Sequence, residues 1–183
     1  MRRALPILLA LAASAPALAQ APATTPEFTE LWTKFSDNCL TRFPDDAAVA
    51  TNAGDDGWNP LPAAQAKAFL RDGPGRGWMI TGRYGVFVLT IEPPPTHRCV
   101  VRKNVRSVPK FEDRLAELVA DWSQDLNPPM HLSPLPPKDM GGETFYGFEL
   151  RSGDGKLADT VGATVHPIPG TTQAELRLSR LRK

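Results

Sequence analysis

Only two of the 183 residues are cysteines, Cys39 and Cys99, and they lie in stretches of opposite periodicity. Cys39 belongs to an apolar series, Phe28, Leu31, Trp32, Phe35, Cys39, Leu40 and Phe43, that returns to one side of a helix. Cys99 lies within His97-Arg98-Cys99-Val100-Val101-Arg102-Lys103, which reads as a strand. An even cysteine count in an exported chain argues for one disulfide. That bond would staple a helix to a sheet and close a loop of about 60 residues, which chain entropy values at about 4 kcal/mol.

Export is itself readable. Arg2 and Arg3 precede the apolar stretch Leu5 to Leu11, and Ala17-Leu18-Ala19 is an A-x-A cleavage site, so residues 1–19 read as a signal peptide. The stretch is too short to span a bilayer about 30 Å thick as a helix, and no transmembrane span is expected after cleavage. Removing Arg2 and Arg3 leaves 19 of the 21 Lys and Arg against 20 Asp and Glu. Such a balance supplies no global drive toward a polyanion, and nucleic acid is not expected as a partner. The expected location is the bacterial periplasm or the extracellular space.

Residues 20–25 read as a disordered leader and 26–183 as a single α+β domain. Thr25 offers an N-cap, Pro26 a first helical residue and Glu27 a favourable charge, so the spacing predicts a helix over 26–43. Pro44-Asp45-Asp46 starts a short helix over 47–53 that Gly54 ends, and 62–71 form a third. Strands follow over 77–82, 86–92 and 97–103. A second long helix is expected over 109–126, carrying Phe111, Leu115, Leu118, Val119 and Trp122 on one stripe. Residues 127–142, with five Pro and two Gly, read as a polyproline-like loop. Three more strands are expected over 143–151, 159–166 and 172–181. The predicted fold is one antiparallel sheet of about six strands, ordered βββ-α-βββ after an N-terminal helical region, with the long helices on one face.

The segment Phe35-Ser36-Asp37-Asn38-Cys39-Leu40, followed by Pro44-Asp45, Gly57-Trp58 and a later strand cysteine, resembles a group of small exported alphaproteobacterial proteins known mainly as uncharacterised products. In that group a helix carries F-x-x-x-C-L, a P-D step starts a second helix and G-W or G-F ends it. The resemblance covers the first forty or so mature residues plus Cys99. It implies export and a disulfide, and no particular activity.

No catalytic motif stands out. His97, His131 and His166 lack zinc-ligand spacing, so neither a metal nor a cofactor is expected. Asp45-Asp46 reads as a helix start, Asp55-Asp56 as a turn, and Arg71-Asp72-Gly73-Pro74-Gly75-Arg76-Gly77 as a turn rather than a phosphate loop. The strongest surface signal is basic. Arg98, Arg102, Lys103, Arg106 and Lys110 lie between Pro93 and Phe111 without an acid, and Arg177, Arg180, Arg182 and Lys183 follow at the C-terminus. If the last strand lies beside 97–103, Arg98, Arg102, Lys103, Arg106, Arg177 and Arg180 are candidates for a partner-binding patch. If Cys99 faces the first helix, Arg98 and Arg102 face outward. Such a patch suits an acidic envelope protein, an anionic lipid headgroup or a cell-wall polyanion. The expected function is an exported, non-catalytic binding or accessory protein. The alternatives are a small periplasmic hydrolase whose residues converge only in three dimensions, and a structural or stress-response factor.

Overall fold

The computed structural model describes residues 25–106, 110–171 and 173–182, with the side chains of residues 176 and 178 set aside. The signal peptide, residues 20–24 of the leader, and Pro109 as a helix start lie outside that description.

Helix α1 (Pro26–Phe35) begins as its sequence requires, with the Thr25 hydroxyl accepting from the Phe28 amide at 3.3 Å. The helix does not run evenly to residue 43. A single π turn, Ser36–Leu40, continues it, closed by the Thr41 amide on the Ser36 carbonyl at 3.0 Å. Buried Asn38 occupies this turn, donating to the Lys34 carbonyl and accepting from Asn52. A side chain so engaged in the helical ladder is a recognised cause of local widening. Helix α2 (Asp46–Asp55) is capped by Asp45, which accepts from the Ala47 and Ala48 amides. It outruns Gly54, and the chain turns at Gly57, whose φ is +78°. The Trp58 amide then returns to the Ala53 carbonyl at 2.8 Å.

The sheet has eight antiparallel strands instead of about six. They are β1 (Asn59–Pro60), β2 (Arg76–Gly82), β3 (Gly85–Glu92), β4 (Arg98–Arg106), β5 (His131–Asp139), β6 (Thr144–Arg151), β7 (Leu157–Pro167) and β8 (Gln173–Arg182). Their order is β1-β2-β3-β4-β8-β7-β6-β5. Two four-strand meanders therefore meet at the last strand of each, and β4 pairs with β8 from Arg98↔Leu181 to Arg106↔Gln173. The expected proline-rich loop is largely the edge strand β5, with a register shift between Leu135 and Lys138. Proline cannot donate to a ladder, so a segment with Pro134, Pro136 and Pro137 reads as non-strand, yet it is compatible with an edge.

Helix α4 (Phe111–Gln124) packs with α1 on one face of the sheet, as expected for the long helices. Phe28 meets Phe111 edge-on at 5.7 Å between centroids, and Phe111 meets Tyr146 at the same distance. Leu31, Leu115 and Val119 of the helices share one buried cluster with Leu89, Val101, Leu150 and Val161 of the sheet. Cys39 and Cys99 are bonded, with Cα atoms 5.5 Å apart. Among the described residues no helix is long and apolar enough to cross a membrane.

The opposite face is partly covered by α3 (Ala63–Leu70), which lies over β2 and β3 and reaches β4. The Arg71-to-Gly77 segment is the turn that returns the chain from α3 into β2. Gly75 there has φ +151°, and a Cβ would sit 2.3 Å from the Ile91 carbonyl oxygen, so the loop fits only by close backbone approach.

Candidate functional site

The pleat divides the basic residues. On β4, Cys99, Val101 and Lys103 point to the long helices, while Arg98, Val100 and Arg102 point to the α3 side. The pairing Arg102↔Arg177 puts two guanidinium groups on neighbouring strands of that outer face. Alternation from Arg177 places Glu175 and Ser179 beside it. Helix α3 stands along one side, and the β5–β6 turn, carrying Met140 and Glu143, closes the other. The Asp139 carboxylate shapes that turn by accepting from the Gly141 and Gly142 amides.

Between these walls lies a cavity of about 350 Å³, whose charged lining is Arg71, Arg98, Arg102, Arg177, Glu143 and Glu175. Three of the guanidinium groups have carboxylate partners. Arg98 donates to Glu92 across the β3–β4 pair. Arg177 donates to Glu143 at 2.9 Å and to Glu175 at 3.0 Å. Arg71 stands at the mouth, 3.9 Å from Glu143 and 79% exposed. Arg102 differs. It is only 7% exposed, and among the described residues no carboxylate lies within ion-pair distance of it. Its Nη1 donates to the Thr90 hydroxyl at 2.6 Å and its Nη2 to the Phe69 carbonyl at 3.3 Å, with its carbon 5.7 Å from the Phe69 ring centroid.

These surroundings alter proton affinity. Burial, followed by the like charge of Arg177, lowers the Arg102 pKa to about 10. Burial works against ionised Glu175, but hydrogen bonds and charge from Arg177, with the charge of Arg102, hold it below the ordinary carboxylate range. Burial likewise works against charged Arg177, and Glu175 and Glu143 outweigh it, so its pKa is raised. Both cleft carboxylates, Glu143 and Glu175, are paired with Arg177.

A second hollow of about 510 Å³ lies beyond Phe69 and Arg102, bounded by Tyr84, Val86, Val88 and Lys103. Tyr84 and Val86 are exposed here.

The structure brings together Arg98, Arg102 and Arg177 of the six expected patch residues. It corrects the outward exposure of Arg102, because α3 covers it. Lys103 is also buried, donating to the Tyr84 carbonyl with its ammonium 4.3 Å from the Phe87 centroid. Burial lowers its pKa against the raising influence of Glu30 and Glu27. Arg180 is buried on the helix-covered face beside Asp159, and Arg106 reaches Glu27 of α1 at 3.5 Å. These three therefore do not join the cleft. Sequence reasoning missed Arg71, Thr90 and Glu143. The available signal for Glu175 is its position two residues before Arg177 on β8, which puts both on one face.

Of the histidines, only His166 borders the cleft. His97 contacts Asp46 at 3.1 Å, His166 lies 3.7 Å from Glu143, and His131 is exposed at the start of β5. Asp56 pairs with Lys34 at 3.4 Å. Among the described residues no group of three or more His, Cys, Asp or Glu is placed to hold a metal.

No protein-family model matches the chain, and comparison with curated proteins and with solved structures found no match.

Proposed function

We propose that this chain is an exported, non-catalytic binding protein of the bacterial envelope that uses the outer sheet face beneath α3 to engage an anionic partner. The observation that carries this reading is the convergence of Arg71, Arg98, Arg102 and Arg177 on one cavity, with Arg102 lacking a carboxylate counterion. The disulfide and the signal-like N-terminus support passage to an oxidising compartment. Electrostatic complementarity would steer the partner to the mouth, where Arg71 is most exposed.

The hydrolase alternative draws on Glu143 and Glu175 in the same cavity. Both carboxylates accept from Arg177, and its hydrogen bonds and charge hold Glu175 ionised, so binding fits this pair better than acid–base catalysis. The test uses R71E/R98E, which reverses charge at the mouth and at the half-exposed edge of the cleft. Partners retained from an envelope extract by the native protein should be lost from the variant, as read by mass spectrometry. Equal retention by both proteins overturns the reading.

A further inference from the structure

We infer that the cleft is built around Arg102 to take one oxyanion group, a carboxylate or a phosphate, carried on a small apolar body that lies against Phe69. This inference rests on the reading of the outer face as a binding surface and adds the chemical class of ligand.

Arg102 has no carboxylate partner among the described residues. A guanidinium removed from water requires a counter-charge or a full set of acceptors. Thr90 and Phe69 take one N–H from each terminal nitrogen. Among the described residues the Nε–H has no hydrogen-bond partner, yet Nε is not one of the enclosed unpartnered atoms, so the uncommitted donors open onto the cavity that Arg102 lines. Arginine presents five donors in a planar fork, and the uncommitted ones match the paired oxygens of a carboxylate or phosphate. The contacts to Thr90 and Phe69 fix the fork before ligand arrives, which lowers the ordering cost of binding.

The surrounding charges limit the ligand. Like charges directly opposite on neighbouring strands are unfavourable, and Arg177 opposite Arg102 is such a pair. Glu143 and Glu175 satisfy Arg177, and Glu92 satisfies Arg98, which leaves the excess charge at Arg102. The same carboxylates would repel a polyanion laid along the cleft, so a single anionic group fits better. A volume of about 350 Å³ accommodates a small molecule. Phe69, Val100 and Met140 provide its apolar lining, and Met140 is 43% exposed.

The experiment follows arginine Nε–H resonances of the mature, disulfide-bonded protein at constant ionic strength. One arm adds inorganic phosphate and the other adds hexanoate. Saturable movement of the Arg102 resonance below about 10 mM, without movement of remote Arg42, is expected in at least one arm. Response to phosphate alone identifies a phosphate ester as the ligand class. Response to hexanoate alone identifies an organic carboxylate, and response to both supports the shared oxyanion chemistry.

R102K retains charge but loses the fork and should weaken binding by about tenfold or more, read in that variant from the Nε–H resonance of Arg177 in the same cavity. A68W, at an exposed helix position lining the cavity, should block binding without removing any charge, and it provides the test if R102K does not fold. No saturable response in either arm, or an undiminished response in A68W, overturns the oxyanion site. If that happens while R71E/R98E still loses its envelope partners, the wider binding reading survives. Retained capture by R71E/R98E overturns the wider reading independently of the titration.

Discussion

Arg180 on β8 meets Asp159 on β7 at 2.6 Å, with 7% and 0% of their side chains exposed. The guanidinium also donates Nη1 to the Leu40 and Phe43 carbonyls, each at 2.9 Å, and to the Cys39 carbonyl at 3.3 Å. Those carbonyls belong to the π turn and the chain just after it, where helix-end acceptors need partners. Arg180 is the direct cross-strand neighbour of Cys99. The ionic clamp and the disulfide therefore hold the same end of the first helical segment.

Removing one member should be costly. R180M leaves buried Asp159 with only the half-exposed Arg182, 3.8 Å away, as its cation and leaves three carbonyls without this donor, so a loss of about 3 kcal/mol is expected. D159N should cost less, because an amide oxygen can still accept from Arg180. Urea unfolding of both variants checks the order, and a smaller loss for R180M contradicts the clamp.

The double variant C39A/C99A should lose about 4 kcal/mol relative to the oxidised protein, chiefly by freeing a long loop in the unfolded chain. Both cysteines are fully buried, so reducing agent should act slowly until the fold opens. Thiol titration of denatured, unreduced protein should find no free thiol, and paired unfolding curves give the stability difference.

Glu30 ties α1 to the β2–β3 hairpin by accepting the Arg83 amide at 2.9 Å and the Tyr84 amide at 3.0 Å. Hydrogen bonds to a charged acceptor contribute about 1.5–3 kcal/mol each, and solvent access places the E30A loss toward the lower value. Hydrogen exchange should accelerate at Arg83 and Tyr84 before it accelerates in β7. Uniform acceleration would mean that Glu30 does more than fasten this turn.

Asp154 supplies a low-pH prediction at the β6–β7 turn. Hydrogen bonds from Ser152 and Lys156 lower its pKa to about 2. Because the folded value is depressed, its contribution is full above the unfolded carboxylate range and fades as pH falls through about 2. Carboxyl carbon NMR should show Asp154 ionised at pH 3, and the S152A variant should move its titration upward. An ordinary titration in the native protein would contradict the turn geometry.

Much of the architecture was legible because two periods were clear. The Phe28-to-Phe43 stripe identified the first helical segment, and alternation across 97–103 gave the correct division between Cys99 and Arg102. The π turn was not legible, since it depends on Asn38 bonding both to its own helix and to Asn52. Strand β5 was hidden because its prolines remove the ladder donors by which a strand is recognised. The candidate site was half legible. Pattern placed Arg98 and Arg102 on one face and named Arg177 for the same patch, but the burial of Arg102 depends on α3 crossing to the sheet's other side. That eight-residue helix carries no local signal for which side it will cover.

The edge strand β5 has a consequence beyond its own pairing. Pro134, Pro136 and Pro137 take three ladder donors out of this edge strand, and the register shift between Leu135 and Lys138 interrupts its regular spacing. Another molecule approaching there would find an incomplete template for continuing the sheet. At high local concentration, that border disfavors growth into a fibril.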